Sequence, residues 1–146
     1  IKNFKDFLII QVLLPFRHIL FKGNVDYNGI GQRFSWRMKI MYKESELNYF
    51  ITDKLSGQKY TVDVSTMLTN KQYNNIKYFP DLIVPLAKKI KLEAREKFGI
   101  KNAEITCNYT TKFMGGNEQH FFSPKLDLAK IPKNKLTNTW LLELKK

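Results

Sequence analysis

A single cysteine, Cys107, is all the thiol chemistry this chain holds, which excludes an intrachain disulfide and gives no report on the redox compartment. Histidine is as scarce: His18 and His120 lie about a hundred positions apart, far from the clustered His, Cys and carboxylate spacing of a metal site, so no metal is expected. Arginine occurs only at Arg17, Arg33, Arg37 and Arg95, leaving few of the bidentate forks that read bases and phosphates. The glycines at Gly29/Gly31 and Gly115/Gly116 lack the spacing and the strand-to-helix setting of a phosphate loop and read as turns. The apolar run over 7–16 is shorter than the roughly 20 residues that a membrane-spanning helix needs. It has no small-residue cleavage site and no methionine before it, so the chain is expected to be a piece of a longer one.

What is present fits one domain with its own core. The chain has 146 residues, 43% of them hydrophobic and 14% aromatic, enough for one core and too few for two. We expect residues 1–22 to be an apolar membrane-exit or interfacial helix segment and 23–146 a single α+β extramembrane domain. Lys+Arg 25 against Asp+Glu 13 gives a formal charge of +12, a surface that attracts polyanions or an acidic membrane face. The plainer reading of that charge is a lysine-rich solvated surface.

Period-two alternation marks the strands. Phe34, Trp36, Met38, Ile40 and Tyr42 alternate with Ser35, Arg37, Lys39, Met41 and Lys43, a half-buried strand pattern. A polar turn is expected at 44–46, a second strand over 47–53, a turn at 54–57, and a third strand marked by Tyr60, Val62 and Val64. Thr69-x-x-Gln72 fits a capping box opening a helix over about 69–78. Leu82, Leu86, Ile90, Ala94 and Phe98, joined by Ile83 and Ala87, form one apolar helical face over about 81–98, with lysines outward, Pro85 tolerable in the first turn, and Gly99 as the stop. Ile105, Cys107, Tyr109, Thr111 and Phe113 alternate again; Gly115-Gly116 turns the chain, 119–122 returns, and 139–144 closes the sheet. Residues 123–135, with two prolines and no period, read as a surface connection. The fold class expected is α+β: a mostly antiparallel sheet of five to six strands with two helices packed on one face.

Candidate chemistry concentrates in one place. A glycine-rich approach lets the backbone come close to another surface at 29–36, and it delivers Gln32, Arg33 and Ser35 beside Tyr27, Phe34 and Trp36. The competing reading makes Phe34 and Trp36 plain core. Cys107 with His120 as nucleophile and base is weaker, because both fall on hairpin strands and Cys107 sits with Tyr109 on the apolar side. Asn108-Tyr109-Thr110 matches a glycosylation triplet, but a strand is a poor acceptor.

Three segments, taken in order, resemble the soluble, membrane-distal region of vitamin K-dependent gamma-glutamyl carboxylases and their bacterial relatives, the horizontally transferred transmembrane-domain proteins. Leu13-Leu14-Pro15-Phe16-Arg17-His18-Ile19-Leu20 is similar to the segment by which that family leaves its last membrane helix. Gly31-Gln32-Arg33-Phe34-Ser35-Trp36-Arg37-Met38 resembles its Gly-His-Arg-Phe-Ser-Trp-like motif, with Gln32 in place of the histidine. Phe122-Ser123-Pro124-Lys125-Leu126-Asp127-Leu128 with Thr139-Trp140-Leu141 resembles its end. Lys88-Lys89 departs from a histidine pair often seen in the long helix.

The resemblance implies a parent that carboxylates protein glutamate: oxygenation of vitamin K hydroquinone, or a related quinol, creates a base that removes a γ-proton, and CO2 adds to the carbanion. That parent is a carbon–carbon lyase using O2 and CO2, with its catalytic lysine in a membrane region this chain does not hold. No catalytic residue or cofactor is therefore expected in the chain itself. By resemblance, Arg17, His18, Gly31, Gln32, Arg33, Ser35 and Trp36 face the active site or bind substrate, together with Tyr27. The expected partners are the parent's own transmembrane region, a protein or peptide substrate and the membrane surface, with the domain on the extracytoplasmic side; nucleic acid is disfavoured. An alternative from another class is a non-enzymatic basic binding module for nucleic acid or acidic lipid. A third reading, a structural domain without a ligand, is opposed by any exposed patch formed by Phe7, Ile10, Leu14 and Phe16.

Overall fold

A computed structural model describes residues 4–21, 23–29, 34–35, 42–79, 82–132 and 140–145. Among these, four antiparallel strands form one sheet: β1 (Lys43–Asp53), β2 (Lys59–Val62), β3 (Ala103–Phe113) and β4 (Gln119–His120), in the spatial order β2-β1-β3-β4. The centre is the long β1–β3 pair, in which Leu47 opposes Tyr109, Tyr49 opposes Cys107 and Ile51 opposes Ile105. All six are buried, so a single face of the pleat supplies the core. Glu44, Glu46 and Asn48 on the other face are exposed.

Helices α3 (Asn70–Tyr78) and α4 (Ile83–Phe98) cover the apolar face. Thr69 accepts from the Gln72 backbone while the Gln72 side chain answers to the Thr69 backbone, completing the capping box read from sequence. Pro85 is the third residue of α4, where no intrahelical donor is lost, and Gly99 ends the helix at φ 68°. Ile83, Val84, Leu86, Ala87, Ile90 and Ala94 are buried. Phe98, expected on the same stripe, is 73% exposed.

Ahead of the sheet lie α1 (Phe4–Leu13), a 3₁₀ segment Leu14–Leu20 and the four-residue α2 (Val25–Asn28). No residue of α1 is buried. No helix among the described residues is long and apolar enough to cross a membrane.

The α+β class stands, but several finer expectations need correction. The sheet has four strands among the described residues, not five to six. Residues 44–46 are not a turn: they continue β1, with Ser45 turned inward between two solvent-facing glutamates, a wet face that imitates a turn in composition. Val64 starts a 3₁₀ turn capped by Asp63 rather than ending a strand. Over 139–144, Leu141 makes one bridge to Phe122 and the Leu142 amide donates to the Phe121 carbonyl, while the Leu142 side chain is 46% exposed. The stretch 123–135 is no mere surface connection, since Asp127, Leu128 and Ile131 are buried. Of the strand expected over 34–43, residues 36–41 lie outside the described residues, and Phe34 sits at φ 60°, which is not extended.

Candidate functional site

The strongest concentration of chemistry is at the first residue of β1. Lys43 opposes Phe113 in register and shares the inward face of β1 with Ser45 and Leu47. Its side chain is only 7% exposed. The Nζ sits 4.0 Å from the Phe121 ring centroid, 5.4 Å from that of Tyr109 and 5.5 Å from that of Tyr27, and it donates to the Tyr27 carbonyl at 3.2 Å. Among the described residues no carboxylate forms an ion pair with it. Burial alone drives its pKa down, to about 7, because an ammonium loses its hydration and recovers only part of that from ring faces and one carbonyl.

Local structure explains why the rings gather there. The Asn24 side chain accepts from the backbone of Asp26 and Tyr27, capping α2, and Gly29 closes it at φ 70°. This turn points Tyr27 into the sheet, edge-on to Phe113 at 5.7 Å and tilted against Phe121 at 5.1 Å. Its hydroxyl accepts from Gln119 Nε2, and Gln119 Oε1 accepts from the Lys145 amide at 3.0 Å. Desolvation raises the Tyr27 phenol above its ordinary range. Tyr109 donates to the Lys77 carbonyl at 2.7 Å and lies 3.1 Å from Ser45 Oγ, which in turn donates to Thr111 at 3.1 Å. Burial also pushes the Tyr109 phenol up.

Lys43 opens on a cleft of about 630 Å³, whose walls include Ser45, Thr111, Asn74, Lys77 and Glu118. A second hollow of about 570 Å³, between β2 and α4, is walled mainly by apolar groups such as Ile51, Tyr60, Met67 and Phe98. Only the first combines a buried amine with hydroxyls and further charges. It offers a nucleophilic or basic nitrogen at neutral pH.

The residues singled out from sequence fall in three places. Arg17 and His18 lie on the 3₁₀ segment; His18 Nδ1 is 2.9 Å from the Pro15 carbonyl, and the Arg17 guanidinium carbon is 5.8 Å from the Phe34 ring centroid. The 3₁₀ segment thus approaches Phe34 through Arg17. Arg17 Nε is buried, with no hydrogen-bond partner among the described residues. Ser35 is half-buried, and Tyr27 is buried in the aromatic cluster around Lys43. Gly31, Gln32, Arg33 and Trp36 lie outside the described residues. Cys107 is buried with its thiol pKa raised by desolvation, while His120 is exposed and opposite Thr110, so the two share no site. Among the described residues no three His, Cys or carboxylate groups gather as a metal site would need.

Lys43 was missed from sequence, where it stands with the outward positions of the 34–43 alternation. The signal was present: counting back by twos from Tyr49 and Leu47 through Ser45 puts Lys43 on the core face.

No curated protein and no solved structure matches the chain. The family described as "Vitamin K-dependent gamma-carboxylase, lumenal domain" matches residues 3–146. With nearly its whole length matched, the chain belongs to the vitamin K-dependent gamma-carboxylase lumenal-domain family, the lumenal part of a membrane-protein family.

Proposed function

We propose that this chain is the C-terminal, extramembrane domain of a carboxylase-like membrane protein, that it caps the membrane-embedded active site and positions a peptide substrate there, and that it is inactive alone. The observation that carries this reading is the apolar surface at its start. Phe7, Ile10, Leu14 and Phe16 are all exposed, as are Leu8, Ile9, Val12, Leu13, Ile19 and Leu20. On a helical wheel the polar residues of α1, Lys5, Asp6 and Gln11, fall at roughly 0°, 100° and 240°, so no single polar stripe exists. A helix apolar on all sides suits surroundings of lipid or other helices better than a flat interface.

In this reading Arg17, His18 and Ser35 face the membrane-embedded part, and Tyr27 is held in the aromatic cluster of the sheet. The quinol, CO2 and O2 of the reaction class belong to the parent's membrane region. The cleft beside Lys43, walled by lysine, glutamate and hydroxyl groups, does not fit an apolar quinol, and no step of the chemistry runs through it.

Flotation with lipid vesicles tests the docking. The chain should bind neutral phosphatidylcholine vesicles with little response to salt, and a version lacking residues 4–20 should not. Binding that requires anionic vesicles and falls steeply with ionic strength would instead favour a basic binding module, since that signature comes from counterion release. The +12 charge is the observation behind this second reading.

A further inference from the structure

We propose that Lys43 is a reactive amine site that captures a small aldehyde as an imine in the cleft beside β1. A buried lysine normally brings a carboxylate with it; Lys43 has none among the described residues, and its surroundings are three aromatic rings and one carbonyl. Such desolvation is what turns a lysine into a nucleophile at neutral pH. Lys43 is one of the residues lining a cleft of about 630 Å³, the route by which a small electrophile would approach it.

The chemistry of the product selects the electrophile. The neutral amine adds its lone pair to the aldehyde carbon, giving a carbinolamine; loss of one water, whose oxygen is the former carbonyl oxygen, leaves a C=N bond. Protonated, that imine keeps a positive charge over the Phe121 ring and one N–H for the Tyr27 carbonyl. In that form the contacts with the rings and the hydrogen bond to the Tyr27 carbonyl are retained. A carbamate from CO2 would keep an N–H for that carbonyl but set an anion against the ring faces. Acylation would remove the charge and leave the rings without a cation. Lys77 and Lys112 share the cleft walls with Glu44, Glu46 and Glu118, so the wall charge does not select an anionic aldehyde, and glyoxylate serves only as a small probe. The phenols facing the amine, Tyr27 and Tyr109, both have raised pKa values and stay neutral through the relevant range.

Glyoxylate with cyanoborohydride provides the test on the unmodified chain. Reduction traps any imine as a carboxymethyl group, which peptide mass mapping assigns to individual lysines. An ordinary lysine is neutral in only about one molecule in three thousand at pH 7, whereas Lys43 is close to half neutral. Lys43 is therefore expected to be trapped at least ~10-fold faster than exposed Lys89, with a rate that levels off above about pH 7 while that of Lys89 keeps rising. Trapping no faster than at Lys89, or a Lys43 profile still climbing toward pH 10, would overturn the proposal. The comparison within one folded chain does not depend on any variant folding; Lys43→Met serves only to confirm the assignment by losing the fast phase.

Discussion

The first twenty residues and the sheet that follows use similar apolar side chains to opposite ends. In α1 and the 3₁₀ segment, only Pro15 is buried, while phenylalanines and leucines stand in the open. In the body, Phe121, Phe122, Tyr49, Tyr109 and Ile105 are fully buried, and the rings of Tyr109, Phe121 and Phe122 meet at 4.9 to 6.5 Å. Hydrophobicity alone therefore does not define a core; the partner surface does. The body closes its partner set internally, sheet against helices and rings against rings. The leading segment leaves its set exposed among the described residues, and the proposed docking would complete it.

The largest expected effect breaks or upholds this contrast directly. Phe122 stacks on Tyr109 at 5.9 Å and tilts against Trp140 at 5.4 Å, so Phe122→Ala should cost about 3–5 kcal/mol of folding stability. Phe7→Ala removes the same atoms from an exposed position and should change stability by less than about 0.5 kcal/mol. Urea denaturation of both variants measures the difference. Comparable losses would mean that α1 is part of the folded core.

A smaller effect sharpens the boundary of the body. Asp127 holds the stretch after β4 against the sheet: its Oδ1 accepts from the Ile105 amide at 3.3 Å and from the Ala129 amide at 3.2 Å. Asp127→Ala strands two donors, one of them buried, and should cost about 1–3 kcal/mol, whereas Asp127→Asn keeps an acceptor and should lose less. If Asp127→Ala leaves the urea midpoint unchanged, the segment is only draped over the core.

The same stretch shows what sequence could and could not carry. The capping box at Thr69 and Gln72, the stop at Gly99 and the alternation of β3 are local signals, each decided by residues within a few positions, and each appears where read. Residues 126–131 have no period because they form neither strand nor long helix; Leu128 and Ile131 are buried by distant residues that happen to fold beneath them. Glu44 and Glu46 misled for a related reason, since two exposed carboxylates in a row of three describe a turn as well as the wet side of a strand. Of the candidate site, Tyr27 was legible as an aromatic near a glycine turn, but its partnership with Lys43 was not. A lysine is assigned to solvent by composition, and only register with Leu47 and Tyr49 reverses that.

Lys43 also gives the smallest predicted effect, a dependence on pH whose sign separates it from its neighbours. Its folded pKa of about 7 lies below the ordinary lysine value, so between these limits the unfolded chain binds more protons and folding stability rises with pH. The cost of the buried charge is fully present below pH 7 and fades above it. Cys107 acts in the other direction: burial raises its thiol pKa, so above roughly pH 8.5 the unfolded chain loses a proton that the folded chain keeps, and stability falls. The window between is governed by Lys43 among these two, with a gain of at most about 2 kcal/mol from pH 7 to 8.5. Replacing the amine with an uncharged chain, as in Lys43→Met, should flatten that rise and make the protein more stable than the parent at pH 7. A variant curve that still climbs in this window would show that the ammonium is not held in the ring cluster, and Lys43 would then not be a buried charge of the closed body.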